Sequence, residues 1–150
     1  MDRGRCSFMV TVISHNPAET FALGELWGRA AEPGWIIGLH GDLGAGKTQL
    51  VKGIAHGLGI TRPILSPTFA LIHQYPCGRH ALFHLDLYRL ENEAQIRSAG
   101  LEEFFDRPGG IAVIEWIERW PEPIVGNYRQ VTIEVVSETE RRISYEDFGS

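Results

Sequence analysis

The spacing of apolar positions changes several times along the chain, and each change marks an element. Phe8-Met9-Val10-Thr11-Val12-Ile13 is rich in β-branched residues and predicts a first strand near a sheet edge. Asn16 then suits a helix N-cap, with Pro17 at the first helical position and Glu19 three residues beyond the cap. Leu23, Leu26, Trp27 and Ala30 would form the inward stripe of that helix. Trp35-Ile36-Ile37-Gly38-Leu39-His40 is a short apolar run after Pro33-Gly34, the mark of a strand buried on both faces of a parallel sheet. Leu50, Val51, Ile54, Ala55 and Leu58 return to helical spacing, and Gly57 and Gly59 offer an end.

Residues 69–75 and 80–85 are apolar-rich runs around Pro76-Cys77-Gly78-Arg79, which predicts a hairpin. Residues 90–105 read as one or two short helices broken at Gly100, with Leu101, Phe104 and Phe105 turned inward. Gly110-Ile111-Ala112-Val113-Ile114-Glu115 is a buried strand closed by a carboxylate. At the end, Val131, Ile133 and Val135 alternate with Gln130, Thr132 and Glu134. A turn over 137–141 follows, and Ile143 and Tyr145 continue the alternation, a second hairpin. The sum is an α/β fold: a mixed central sheet with a parallel core and antiparallel hairpins, flanked by helices.

Length and charge narrow the class further. With 150 residues, 43% of them hydrophobic, residues 1–150 are expected to form one domain around one core. A net charge of −5 argues against a protein that grips nucleic acid through its own phosphate contacts. Arg141-Arg142 is the only adjacent basic pair and reads as a solvated turn. Cys6 and Cys77 have no metal-site or disulfide spacing, no run approaches membrane-spanning length, and the start lacks a signal-peptide core. A cytoplasmic location is the resulting expectation.

The chemistry begins at Gly41-Asp42-Leu43-Gly44-Ala45-Gly46-Lys47-Thr48, which has the spacing of a phosphate-binding loop. Its glycines let backbone N–H groups turn toward one anion, Lys47 can reach the β/γ-phosphates, and the Thr48 hydroxyl suits a magnesium ligand. Strand before and helix after supply the context that the motif requires, and the helix adds its positive end. The fold class is therefore that of a P-loop NTPase, with ATP and Mg²⁺ as the expected ligands. Ser14 to Pro17 is a place for the purine base. Ser66-Pro67-Thr68-Phe69 is either a plain strand start or a switch segment meeting the γ-phosphate. In His84-Leu85-Asp86-Leu87-Tyr88-Arg89 a strand would set His84 and Asp86 on one face. A metal pair is conceivable there, but no third ligand is evident, and a hydrogen-bonded structural role suits His84 better. Asp86 is placed to order a water or a metal ligand. Glu115, closing an apolar strand after a P-loop, fits a Walker-B acid opposite Thr48. Trp116 next to it reads as a rim aromatic, and Glu118 as a solvated charge.

Together these four motifs resemble the TsaE (YjeE) family of small P-loop ATPases in bacterial tRNA threonylcarbamoyladenosine synthesis. The resemblance rests on residues 41–48, on Ser66-Pro67-Thr68-Phe69, on His84-Leu85-Asp86-Leu87-Tyr88-Arg89 and on Ile114-Glu115-Trp116, in that order. It implies an ATPase that works with the threonylcarbamoyl transferase and its paralogous partner subunit, meets tRNA through that complex, and uses no membrane. It further implies that Thr48 and Glu115 hold Mg²⁺, and that Asp86 matters for hydrolysis alongside Lys47, Glu115 and a switch at Thr68. The nucleotide would lie against Gly41, Asp42, Leu43, Gly44, Ala45, Gly46, Lys47, Thr48 and Gln49, with Trp116 as the aromatic after the acid. Gln95-Ile96-Arg97-Ser98-Ala99 is less acidic than the family's usual stretch, which touches a partner-facing surface rather than the nucleotide site.

Three rivals share the loop. A small-molecule kinase calls for an arginine-bearing lid, not identifiable between Glu91 and Pro108. A GTP-driven switch calls for an N-K-x-D element, which is missing from the sequence. A nucleotide-sensing module would bind without turnover.

Overall fold

The computed structural model describes residues 9–41, 46–64, 72–88, 90, 92, 94–95, 100–105 and 109–149. Its strands and helices run β1 (Met9–Ser14), α1 (Pro17–Ala30), β2 (Ile36–Gly41), α2 (Lys47–Gly57), β3 (Ile72–Tyr75), β4 (Ala81–Asp86), β5 (Gly110–Glu115), β6 (Tyr128–Val135) and β7 (Arg141–Phe148). They build a 7-stranded sheet in the order β1-β7-β6-β2-β5-β4-β3. β6, β2, β5 and β4 are mutually parallel, while β1/β7, β7/β6 and β4/β3 pair antiparallel. The mixed sheet read from the apolar pattern is the one adopted, with β1 at an edge as expected.

The parallel core carries apolar residues on both faces because both faces are covered. Toward the helices lie Ile37, Leu39, Ile111 and Val113, packed on Leu50, Val51, Ile54 and Leu58 of α2 and its end. On the other face Ile36, Phe83, Leu85 and Ile114 meet Leu101 and Ile117. A short 3₁₀ turn at Leu101–Phe104 follows Gly100, Phe104 packs on Phe83 and Phe105 on Trp120. These are the three inward residues expected of that region, while 96–99 lie outside the described residues. So do 69–71 of the predicted hairpin strand, which is described from Ile72 onward.

In the terminal hairpin Tyr128 is buried on the face away from the helices, and from Val131 onward burial alternates. Val131, Ile133 and Ile143 point to the helices, and Gln130, Glu134 and Arg142 face outward. Val135 keeps the alternation but is 55% exposed, because β6 runs on past the end of the core.

The contact between α1 and α2 departs from the expected stripe. The Asn16 side chain accepts from Glu19 N at 2.9 Å, as a cap should. Yet α1 buries Thr20, Gly24, Trp27 and Gly28, whereas Leu26 is 59% exposed and Ala30 is exposed as well. Gly24 and Gly28 face Gly53 and Gly57 of α2, and a Cβ on any of the four would overlap a backbone oxygen of the opposite helix. Backbone packs on backbone here, so the face that touches is the one with no side chains to read. Arg79, from the β3–β4 turn, closes the far end: its guanidinium donates to Gly57 O at 3.1 Å, Gly28 O at 2.7 Å and Arg29 O at 3.1 Å.

At an exposed helical site alanine stabilises over glycine by about 1 kcal/mol. At Gly53 the sign reverses: Gly53→Ala should lose about 2 kcal/mol through forced separation of the helices, seen as a lower urea midpoint at unchanged slope. An unchanged or higher midpoint would mean that the helices part without cost.

Candidate functional site

Parallel pairing brings the C-terminal ends of β2, β4 and β5 to one edge, where the loop leading to α2 begins. Leu39 pairs with Glu115 across β2/β5, and Asp86 pairs with Glu115 across β4/β5. Along β4 and β5 alternate residues share a face, and the face of His84, Asp86 and Glu115 is the one that carries Leu82, Ile111 and Val113 beneath α2. The first residue of α2 reaches the same place. Lys47 Nζ donates to Gly41 O at 2.7 Å and stands 4.2 Å from the centroid of the Trp116 ring. Gly46, with φ 101°, makes the left-handed turn into the helix.

Electrostatics at this edge are crowded. His84, fully buried, and Glu115, nearly so, meet through His84 Nε2 and Glu115 Oε2 at 2.5 Å. Asp86 Oδ1 accepts from Tyr88 N at 2.8 Å. Burial pushes the Asp86 carboxyl above its usual range; the Tyr88 N–H works against that shift and neighbouring Glu115 adds to it.

Trp116 adopts φ 62°, uncommon for a bulky residue, so the chain turns sharply just past the acid. Its ring packs on Tyr88 at 4.9 Å, and the Arg119 guanidinium lies 5.6 Å from it while donating to Leu90 O at 2.8 Å. The expected rim aromatic is thus one side of a stack that ends on Lys47. Glu118 is exposed and 3.8 Å from His40.

One neighbour of the loop escapes sequence reading. Arg141 lies with Nε 4.0 Å from where a Cβ on Gly46 would stand, and it donates to the carbonyls of Ser137 and Glu140, each at 3.0 Å. As part of a basic pair in a turn it reads as solvated. The available signal is topological: β6 runs parallel to β2, so the β6–β7 turn must come out at the loop. Ser14 pairs with Arg141 across β1/β7, which sets the 14–17 segment at the same edge. The Ser14 hydroxyl itself is engaged by Thr20 Oγ1 at 2.7 Å.

Of the residues singled out by sequence, Gly41, Lys47, Asp86, Glu115 and Trp116 come together here, Gly46 makes the turn into α2, and Thr48 and Gln49 follow Lys47 in its first turn. Asp42, Leu43, Gly44 and Ala45 lie outside the described residues, as do Thr68 with the rest of Ser66-Pro67-Thr68-Phe69, and Arg89. A cavity of about 470 Å³ opens at the opposite edge, lined by Trp27, Trp35, Arg129, Asp147 and Phe148. Arg129 is already paired there with Asp147 at 2.6 and 2.9 Å and stacked on Trp27, Trp35 and Tyr145.

Residues 14–143 match the family described as Threonylcarbamoyl adenosine biosynthesis protein TsaE. The chain belongs to the TsaE family. The tRNA threonylcarbamoyladenosine biosynthesis protein TsaE of Bacillus subtilis is 41% identical over 90% of this chain and 84% of its own length. The protein of the same name from Nostoc is 47% identical over 75% of this chain and 71% of its own. In structure, the chain is similar to Bacillus subtilis YdiB, with a TM-score of 0.77, 33% identity, and coverage of 97% of this chain and 90% of that one. The family resemblance and the α/β architecture read from the sequence both hold.

The donor chemistry at this TsaE site fits a magnesium ion. Among the described residues no three His, Cys, Asp or Glu side chains converge as a metal cage. Glu115 and Thr48 would instead offer a carboxylate and a hydroxyl, hard-oxygen donors of the kind Mg²⁺ takes when phosphates and water complete its shell. The His84–Asp86 pair is not such a site, since the His84 Nε2 is already engaged by Glu115.

Because folding raises the Asp86 carboxyl above its unfolded value, ionised Asp86 costs stability at neutral pH. That cost fades as pH falls through the raised value, and is gone below about 4, where both states hold the proton. Asp86→Asn should therefore melt a little higher than the parent at pH 7, with the gap closing on acidification. A gap that widens toward low pH would refute the assigned direction.

Proposed function

We propose that the chain is an ATP-binding and ATP-hydrolysing subunit supporting tRNA N6-threonylcarbamoyladenosine formation. It acts as a single nucleotide-binding domain in the cytoplasm, beside the threonylcarbamoyl transferase and its paralogous partner subunit. tRNA is met through that complex, in keeping with a net charge of −5. The observation that carries the reading is the meeting of Lys47, Asp86 and Glu115 at one sheet edge beside Trp116. Family membership gives it direction.

In this reading the backbone N–H groups of 44–48 and Lys47 Nζ hold the phosphates. Thr48 and Glu115 supply the hydroxyl and carboxylate for magnesium. Mg²⁺ held by these two groups would supply positive charge to offset the charge that develops on the phosphates. Asp86, with Oδ1 held by the Tyr88 N–H, keeps Oδ2 to accept the proton of the attacking water, with Thr68 as its alternative orienter. Water then adds to the γ-phosphorus as the β–γ bridge breaks, leaving ADP and phosphate. Few groups here do more than position and neutralise, so intrinsic turnover is slow and a partner surface completes the site.

Calorimetry should find magnesium-dependent ATP binding. Lys47→Ala should weaken it about tenfold or more, equivalent to about 1.4 kcal/mol. Glu115→Ala should abolish the metal dependence, and Asp86→Ala should bind normally yet hydrolyse about 100-fold more slowly, alone and with the partner subunits. Undiminished hydrolysis in all three variants removes the assignment. Transfer of phosphate to a metabolite would turn it into a kinase, and binding without hydrolysis in the assembled complex into a sensor.

A further inference from the structure

Beyond the groups that face nucleotide, the site contains a polar ring that has no contact with solvent. We infer that His84 is a positioning residue for the Glu115 carboxylate, fixing which of its two oxygens is presented to the cation. The inference rests on the nucleotide-site reading above.

Register supplies the first argument. On β4 the residue directly opposite Glu115 is Asp86, while His84 pairs with Val113 and so stands on the diagonal, on the same face. Two carboxylates directly opposite each other on neighbouring strands repel. Glu115 therefore has two directions open to it along β4, one toward a like charge and one toward an imidazole N–H. It takes the second, with Oε2 2.5 Å from His84 Nε2. A carboxylate oxygen held this way is no longer free to rotate, and Oε1 is the oxygen left over. Outer partners of this kind orient metal-binding ligands, and their removal typically weakens metal binding 10- to 100-fold.

The second argument is the cost of keeping the ring. His84 is fully buried among apolar strands, and its Nδ1 has no hydrogen-bond partner among the described residues. An apolar side chain of similar volume would pack there without a stranded acceptor. Strand cohesion does not call for the ring either, since β4 and β5 already pair along Ala81–Asp86. What the ring adds, among the described residues, is the bond to Glu115.

The test separates this role from a merely structural one. His84→Met fills the space without a donor, and His84→Gln returns an N–H₂ as many bonds from Cα as the Nε2 it replaces. Each is measured for ATP affinity in EDTA and for Mn²⁺ affinity in the presence of ATP, the latter by loss of the free-ion electron paramagnetic resonance signal. His84→Met should bind ATP in EDTA as the parent does but need at least 10-fold more Mn²⁺, and His84→Gln should recover to within about threefold. Should His84→Met fail to fold, His84→Asn, whose shorter amide cannot reach the carboxylate, replaces it with the same expectation. A parent that shows metal-dependent uptake beside a donor-free variant with the same Mn²⁺ requirement overturns the positioning role alone. So does an equal loss of affinity in EDTA and in metal. A parent with no metal-dependent uptake at all sinks the nucleotide-site reading, and this inference with it.

Discussion

Parallel pairing of β2 with β5, in the register that sets Leu39 beside Glu115, is the constraint from which the site follows. It decides that a loop leaving β2 and an acid ending β5 share one edge, and that the acid points to the side where α2 packs. Hydrophobic burial holds the pair in the sheet: Ile37, Leu39, Ile111, Val113 and Ile114 are all fully buried, on two covered faces. A slip of one residue would turn Glu115 to the face away from α2, so the register aims the carboxylate.

Once aimed, the acid needs neighbours, and these come from both flanks. β4 contributes His84 and Asp86 two positions apart, one of which binds Glu115 and one of which repels it. The turn after β5 contributes Trp116, whose left-handed backbone folds its ring across to Lys47. The edge therefore has acids on the strand ends and a cation on the helix start, the polarity that a phosphate with its counter-ion would bridge.

Much of this was legible from residue pattern alone, because the central strands are apolar without interruption and the terminal hairpin alternates. The phosphate loop, Asp86 and Glu115 could be named from motif and order. The face of α1 could not. Hydrophobicity singled out Leu26 and Ala30, whereas the contact is made by Gly24 and Gly28 against Gly53 and Gly57. Glycine carries no hydrophobic signal, and close approach becomes visible only when both helices are in place. Arg141 escaped for a related reason. A charged residue in a turn is ordinarily solvated, and only the parallel path of β6 carries that turn to Gly46. The sequence marks His84 as a structural hydrogen-bonder, but the identity of its partner depends on a strand register that no local window contains.

Arg79 carries a consequence for how the molecule can vary. The last turns of α1 and α2 each present partial negative charge from aligned peptide dipoles, and both converge on one guanidinium. Neutralising that side chain would leave two like-signed poles side by side at the end of α2 remote from Lys47, about 16 Å away for a helix of 11 residues. The clamp on the helix pair and the polar cluster around Lys47 thus stand at opposite ends of α2 and are built from separate residues.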